Sequence, residues 1–195
     1  MKLTLKHAVA AIFLILNFGE PVAADPFEDA KVAYVRGDYA TALRLWRSLA
    51  DQGDASAQSN LGLMYSEGRG APQDYTEAMK WYRRAADQGL SRAQSNLGRM
   101  YSKGNGVPQD YIKAVNWYRL AADQGLPTAQ FNLGKMYRKG NGVPQDYVLA
   151  HMWLNLSTAQ GYQDAITNRD IVARHMTPAQ IAEAQKLARE WKPTK

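Results

Sequence analysis

The chain has 195 residues, about the length of a single domain. It carries 24 lysine and arginine residues against 18 aspartate and glutamate residues, which gives a net charge of +6 at pH 7, and it has no cysteine. The lack of cysteine excludes disulfide bonds, thiol catalysis and thiolate metal sites, and the excess of positive charge favours an anionic partner.

The first predicted element is a secretory signal peptide at residues 1–24. A basic start at residues 1–7 precedes an apolar run at residues 8–16, and small residues follow up to Ala24. A retained membrane anchor is the less favoured alternative, because the apolar run has about half of the roughly 20 residues that a spanning helix needs. The sequence therefore predicts cleavage between Ala24 and Asp25, a periplasmic or secreted chain, and no integral membrane anchor after cleavage. Export also argues against nucleic acid as the partner.

Residues 25–53 are predicted to form a shortened helical unit. Tyr39 and Ala42 stand 36 positions before Tyr75 and Ala78, which belong to the second helix of the following unit. The turn that precedes Tyr39 is five residues shorter than the later turns. This part of the chain is therefore expected to be a helix pair with a tighter junction.

Three full units follow. A string of nine residues returns three times at intervals of 36 residues, beginning at Ala57, Ala93 and Ala129. A fixed period of this size predicts stacked helical units that bury a core only against their neighbours. The predicted units are residues 54–89, 90–125 and 126–161.

The first helix of each unit contains a glycine, at position 62, 98 or 134. Glycine inside a helix costs roughly 1 kcal/mol relative to alanine, so its return in each unit predicts a close approach of the second helix. We expect Ala78, Ala114 or Ala150 to face this glycine.

The turn between the two helices carries its own signals. In the first unit, Gly68 is predicted to end the first helix and Asp74 to cap the second, with Glu77 completing a capping box. A glycine-rich loop before a helix can also bind phosphate, but no Gly-Lys-Ser/Thr follows this one. The turn interpretation is therefore favoured.

These motifs resemble the Sel1-like repeat family, a relative of the tetratricopeptide repeats. The resemblance rests on the helix Ala-x-x-Asn-Leu-Gly-x-Met-Tyr, the turn Gly-x-Gly-Val-Pro-Gln-Asp-Tyr and the helix Ala-x-x-Trp-Tyr-x-x-Ala-Ala, over residues 54–161. It implies an all-α fold, a right-handed α-α superhelical solenoid of Sel1-like, tetratricopeptide-like helix pairs. It also implies a scaffold or adaptor that mediates protein–protein interaction, with no cofactor.

An enzymatic alternative comes from the same resemblance. Some cysteine-rich members of the family are described as β-lactamase or penicillin-binding proteins. This chain departs from them because it has no cysteine. Its two histidines after residue 24, His151 and His175, lack the spacing of metal ligands, and no nucleophile motif is present, so we assign no catalytic or metal-binding residue.

After Gly161 the period fails, and residues 162–195 are predicted to form capping helices. Thr177 and Pro178 begin the last helix, whose apolar face ends at Trp191. A terminal helix with one polar face is what closes a solenoid.

The positions that vary between units suggest a binding groove. By analogy with tetratricopeptide repeats, the first helices line the concave surface, and basic residues accumulate there in the second and third units. An extended acidic segment of a partner protein suits such a groove, whereas an anionic envelope polymer and a merely solvated basic face are the alternatives. The repeated asparagines either hold a peptide or bond locally, and the sequence leaves this open. The candidate partner-binding residues are Asn60, Arg92, Asn96, Arg99, Lys103, Phe131, Asn132, Lys135, Arg138 and Lys139.

Overall fold

The computed structural model describes residues 25–194. The predicted signal peptide at residues 1–24 lies outside the described residues. The described part of the chain contains ten α-helices and no strand. They are α1 (Pro26–Val35), α2 (Tyr39–Asp51), α3 (Ala55–Glu67), α4 (Tyr75–Asp87), α5 (Ser91–Lys103), α6 (Tyr111–Asp123), α7 (Pro127–Lys139), α8 (Tyr147–Ala159), α9 (Gln163–Ala173) and α10 (Pro178–Glu190).

The helices pack in chain order as antiparallel pairs, and each pair stacks on the next. The pairs are α1 with α2, α3 with α4, α5 with α6, and α7 with α8, while α2, α4 and α6 each also contact the following helix. Helix α9 packs on α8 and touches α7, and α10 returns to α8. The predicted all-α solenoid with a C-terminal cap is therefore confirmed. The predicted unit divisions after residues 53, 89, 125 and 161 fall in the turns between these pairs.

The turns within the pairs follow the sequence signals closely. Gly68, at the end of α3, adopts the left-handed conformation with φ of 69°. The Asp74 carboxylate accepts a hydrogen bond from the backbone amide of Glu77 at 2.9 Å. The predicted capping box is incomplete, because the Glu77 side chain accepts from Trp81 Nε1 at 2.9 Å and from Lys80 Nζ at 3.0 Å instead. Helix α4 is thus capped by the aspartate alone.

The helical glycines permit the predicted close approach, but the facing side chain is not the predicted alanine. A Cβ atom on Gly98 would lie 2.7 Å from Cδ1 of Tyr118, and one on Gly62 would lie 2.8 Å from Cδ1 of Tyr82. In the third full unit Leu154 takes this place. These side chains lie one helical turn beyond the predicted alanines, because side chains of a packed helix meet their partner with a spacing of three or four residues.

A glutamine pair that the sequence interpretation missed joins the two helices of each full unit and also bonds to the backbone of the preceding unit. Gln124 Nε2 donates to Gln94 Oε1 at 2.9 Å and to the Gly89 carbonyl at 3.0 Å. Gln88 with Gln58 and Gln160 with Gln130 repeat the pairing at the same distance. Gln58, Gln94 and Gln130 are buried, so the pairs satisfy polar groups inside the stack.

A second contact between units involves the turn. The backbone of Gly106 lies against the start of α4, where an added Cβ would be 2.8 Å from the Tyr75 carbonyl carbon. Gly106 also has φ of 72°, which disfavours any side chain. The turn of one unit therefore rests directly on the second helix of the unit before it.

Candidate functional site

Three cavities lie along the side of the solenoid formed by the first helices α1, α3, α5 and α7. The largest, which we call the N-terminal groove, has a volume of about 590 Å³. It extends from α1 across α3 to the beginnings of α5 and α7. Its lining residues are Phe27, Lys31, Tyr34, Val35, Trp46, Ser56, Ser59, Asn60, Leu63, Leu90, Ser91, Arg92 and Leu126.

The other two cavities are smaller and basic. The first basic cavity, of about 130 Å³, is lined by Ser66, Glu67, Tyr75, Arg99, Met100, Lys103 and Asn105. The second basic cavity, of about 150 Å³, is lined by Ser102, Tyr111, Tyr118, Asn132, Lys135, Met136, Lys139 and Asn141. Six lining positions of the first recur in the second after 36 residues. The solenoid thus presents the same site twice, one unit apart.

Each basic cavity is built from three elements. Two cations come from one face of a first helix, where a spacing of four residues places Arg99 beside Lys103 and Lys135 beside Lys139. The turn is fastened to that helix by a glutamine, since Gln109 Nε2 donates to the Ser102 carbonyl at 2.8 Å. The tyrosine that starts the second helix of the neighbouring unit forms the remaining wall.

The cations of this surface lack carboxylate partners. Five salt bridges join side chains within residues 25–194, and none of them includes a cation of the basic cavities. Desolvation, followed by the nearby charges of Lys139 and Arg138, lowers the pKa of the Lys135 ammonium, and Asp164 of α9 opposes this effect. Positive charge is therefore concentrated at the second basic cavity.

The first basic cavity has an acidic residue as well, but that residue is already engaged. Glu67 pairs with Arg69 at 3.0 Å and accepts a hydrogen bond from the Tyr34 hydroxyl at 3.3 Å. Arg99 donates to the Asn96 amide oxygen at 3.2 Å. The Arg99 guanidinium thus keeps its charge uncompensated by any salt bridge among the described residues.

Two buried tyrosines lie near the basic cavities: Tyr118 lines the second cavity, and Tyr82 contacts Ser66 of the first. Burial raises the pKa of the Tyr82 and Tyr118 hydroxyls, and the Arg99 charge opposes the rise at both. Both hydroxyls are therefore neutral hydrogen-bonding groups at physiological pH. The Tyr82 hydroxyl lies 3.4 Å from Ser66 Oγ.

The structure distributes most of the candidate residues among the three cavities. Asn60 and Arg92 line the N-terminal groove, Arg99 and Lys103 line the first basic cavity, and Asn132, Lys135 and Lys139 line the second. Arg138 lies beside the second cavity on α7 and acts on Lys135 through its charge. Asn96 lies next to the first basic cavity, where its amide oxygen accepts the hydrogen bond from Arg99.

Phe131 is the exception among the candidates. Its side chain is 8% exposed, and its ring packs 5.1 Å from that of Tyr162. Lys135 Nζ lies 4.9 Å from the centre of the same ring. The chain after the last unit covers Phe131, so this residue contributes to the core and we remove it from the site.

The repeated asparagines do not behave as a single group. Asn96 bonds locally to Arg99, whereas the side chains of Asn60 and Asn132 make no hydrogen bond among residues 25–194. The sequence interpretation also missed the tyrosines and turn asparagines of the basic cavities. Their 36-residue period was the available signal, and it was assigned wholly to packing. The missed residues are Tyr75, Tyr111, Asn105 and Asn141.

Groups that would indicate catalysis are not assembled in the described range. Within residues 25–194 no cluster of three or more His, Asp and Glu side chains could hold a metal ion, and no Ser or Thr hydroxyl hydrogen-bonds to a histidine. His151 is 4% exposed in the core, and the His175 ring stacks 5.3 Å from Tyr147. No helix in this range is both long and apolar enough to cross a membrane.

An α-α solenoid with a 36-residue unit and cavities between its first helices defines a repeat scaffold of the tetratricopeptide-like class. The Sel1 repeat model matches residues 32–54, 55–90, 91–126 and 127–162, and the chain belongs to the Sel1 repeat family. Sel1 repeats generally mediate protein–protein interaction.

Solved structures support the same assignment. A protective antigen of uropathogenic Escherichia coli strains that displays an SLR fold is 32% identical, with a TM-score of 0.74 over 84% of this chain and 38% of its own. A Sel1 repeat protein from Oxalobacter formigenes is 30% identical, with a TM-score of 0.70 over 74% of this chain and 60% of its own. The chain thus spans less than two thirds of either relative. A search of the curated proteins found no significant match.

Proposed function

We propose that the chain is an exported scaffold that binds an extended acidic segment of a partner protein across its two basic cavities. The observation that carries the proposal is the duplication of one site at a spacing fixed by the repeat, with two cations in each copy that form no salt bridge within residues 25–194. Export rests on the basic, apolar and small-residue order of residues 1–24. A mature chain that begins at Asp25 in the periplasmic or culture fraction is the expected result of N-terminal sequencing.

The physical basis of the proposal is charge complementarity on a rigid frame. Cations that crowd together on one surface repel one another, and carboxylates placed between them relieve that repulsion. The helices that carry the cations are held by the turn glutamines and by the stacked units, so little ordering entropy is lost on binding. An extended segment fits better than a folded surface because the two cavities are small and lie one after the other.

Charge reversal provides the test. The probe is a fluorescein-labelled peptide of alternating glutamate and serine, with the glutamine and serine peptide as its neutral counterpart. The variant K135E/K139E is expected to bind the acidic peptide at least about tenfold more weakly, because each hydrogen bond to a charged group is worth about 1.5–3 kcal/mol. Fluorescence anisotropy at several salt concentrations measures the change.

A matched control changes the net charge equally elsewhere. The variant K80E/K113E alters two exposed lysines that already pair with Glu77 and Asp110 and that lie outside all three cavities. It should retain peptide affinity within about threefold, since surface ion pairs contribute little. Equal losses in the two variants would mean that net charge alone attracts the peptide. Binding of lipopolysaccharide with no binding of the peptide would replace the protein segment by an envelope polymer.

A further inference from the structure

The N-terminal groove differs in character from the two basic cavities. Its walls are mainly apolar and include an exposed valine on α1, Val35, which is 84% exposed. Its volume of about 590 Å³ is in the range of ligand-binding pockets, about 300–1,000 Å³. The apolar wall is formed by Phe27, Tyr34, Val35, Leu63, Leu90 and Leu126.

Two polar groups in the lining of this groove lack hydrogen-bond partners. Trp46 and Ser59 are each 3% exposed, and Trp46 Nε1 and Ser59 Oγ have no partner among residues 25–194. A buried polar group without a partner costs about 1–3 kcal/mol, so a fold keeps one where something else satisfies it. Both residues line the same groove.

Comparison with the later units shows that this feature is particular to the first part of the chain. Position 46 corresponds to Tyr82 in the next unit, and there the hydroxyl has Ser66 Oγ at 3.4 Å. Leu63 corresponds to Arg99 and Lys135, the cations of the basic cavities. At the N-terminal groove, Leu63 therefore lies where the later units have a cation. The Trp46 indole, which has no hydrogen-bond partner among residues 25–194, lies where the next unit has a tyrosine hydroxyl with a partner.

A cation at the edge of the groove lies on the same side of the solenoid as the cations of the basic cavities. Arg92 lines the groove, is exposed, and forms no salt bridge among the described residues. The next cations along the same side are those of the basic cavities. An occupant with only apolar groups would leave the charge of Arg92 unmatched. An occupant with acidic residues next to an apolar side chain would complement both Arg92 and the apolar wall of the groove.

We propose that the N-terminal groove receives a bulky apolar side chain of the same partner segment whose acidic residues occupy the basic cavities. Backbone carbonyls beside this apolar residue accept hydrogen bonds from Trp46 Nε1 and Ser59 Oγ, and the first acidic residue meets Arg92. The inference rests on the proposed function, which places the acidic residues of the segment in the basic cavities. It adds an apolar anchor residue, which makes the recognised segment bipartite.

The test is a selection of peptides from a phage-displayed library of random 12-residue sequences on the purified protein. The groove variant is Val35→Glu, and the matched control is Val32→Glu on the same helix, outside the groove and 46% exposed. Both positions are exposed, so both variants should fold, and circular dichroism checks this. The variant K135E/K139E is selected in parallel.

We expect the enriched peptides to share one bulky apolar residue followed or preceded by acidic residues. Their affinity should fall at least about tenfold in Val35→Glu and stay within about threefold in Val32→Glu, because only the former places a like charge beside the acidic segment and removes apolar contact. In K135E/K139E the acidic preference should disappear while the apolar residue is retained.

The outcomes separate the two proposals. Acidic peptides without an apolar residue, bound equally by Val35→Glu, would overturn the anchor and leave the proposed function standing. Apolar peptides that are indifferent to K135E/K139E would support the groove and overturn the acidic segment. No enriched sequence would overturn both. A dimer of the unmodified protein that Val35→Glu converts to a monomer in light scattering would assign the groove to a second copy of the chain and overturn the peptide anchor.

Discussion

At the residue scale, the helical glycines exchange intrinsic helix stability for close packing. Replacing Gly98 by alanine should gain roughly 1 kcal/mol of helix propensity and lose about 1–3 kcal/mol, because the added methyl group would lie 2.7 Å from the buried Tyr118 ring. We therefore expect a net loss in the free energy of unfolding, measured with urea. In a Tyr118→Ala background the ring is gone, and the same glycine change should become stabilising. An equal effect in both backgrounds would show that the ring does not restrict position 98.

The buried histidine makes a second prediction at this scale. Burial, reinforced by the charge of Arg169 and opposed by that of Asp170, lowers the pKa of His151 below its ordinary value of 6.5. The unfolded chain then binds more protons than the folded chain as the pH falls through 6.5, so acid removes stability. Replacing His151 by valine, the residue that the chain itself uses at the equivalent position 115, removes this loss.

The measurement is the difference in the free energy of unfolding between His151→Val and the unmodified protein from pH 7.5 to pH 5. It should shift in favour of the variant as the pH falls, by at most about 1.4 kcal/mol per pH unit. A difference that is independent of pH would contradict the buried, neutral imidazole.

At the scale of elements, each glutamine pair joins the two helices of one unit and connects them to the unit before. Gln58 Nε2 donates to the Ala50 carbonyl at 3.1 Å and its Oε1 accepts from Gln88 at 2.9 Å. Gln58→Leu keeps the volume and removes both bonds, so we expect a loss of about 1–3 kcal/mol. Gln88→Ala, at the exposed end of the pair, should lower the free energy of unfolding by less. The double variant should lower it by less than the sum of the two single losses. Additive losses in urea unfolding would mean that the two side chains do not act as a pair.

The sequence predicted the helices, the turns and the close approach of two helices at the glycines, because each is indicated by a local motif that the repeat presents three times. It did not predict which side chain meets Gly98, since that depends on how the two helices cross. It placed Arg99 and Lys135 on one side of the solenoid, but the cavities around them also need the turn asparagines of the same units and a tyrosine from the preceding unit, such as Tyr75. Phe131 was misplaced for a similar reason, because the path of the chain after Gly161 lies outside the repeat pattern.

At the scale of the whole molecule, the side of the solenoid formed by the first helices changes from apolar to basic along the chain, while the packing of the helices, which we call the frame, stays almost constant. The apolar N-terminal groove gives way to two basic cavities, and the charge of Asp164 on α9 acts on Lys135 of the last cavity. The interactions that build the frame, namely the glutamine pairs, the turn glycines and the buried side chains that face the helical glycines, are almost the same throughout. Stability is therefore expected to depend on the number of units, and recognition on which unit is present.

This separation predicts that one whole unit can be removed. Deleting residues 91–126 joins Leu90 to Pro127, and the new junction repeats the natural sequence Leu126–Pro127. Gly142 would then rest on Tyr75, as Gly106 does in the full chain, and Arg83 would reach the Tyr137 hydroxyl that Arg119 now contacts at 2.8 Å. The repeat therefore supplies an equivalent interaction for each one that the deletion breaks.

We expect the shortened protein to be helical and to unfold cooperatively, with a lower free energy of unfolding because one interface between units is lost. Circular dichroism and urea unfolding measure both properties. Deleting only residues 91–108 is the control, since it leaves a second helix without its partner and should abolish cooperative unfolding. If the two deletions behaved alike, the equivalence of the units would be wrong. The acidic peptide should bind the 91–126 deletion more weakly than the full chain, because one of the two basic cavities has been removed while the frame that presents the other is intact.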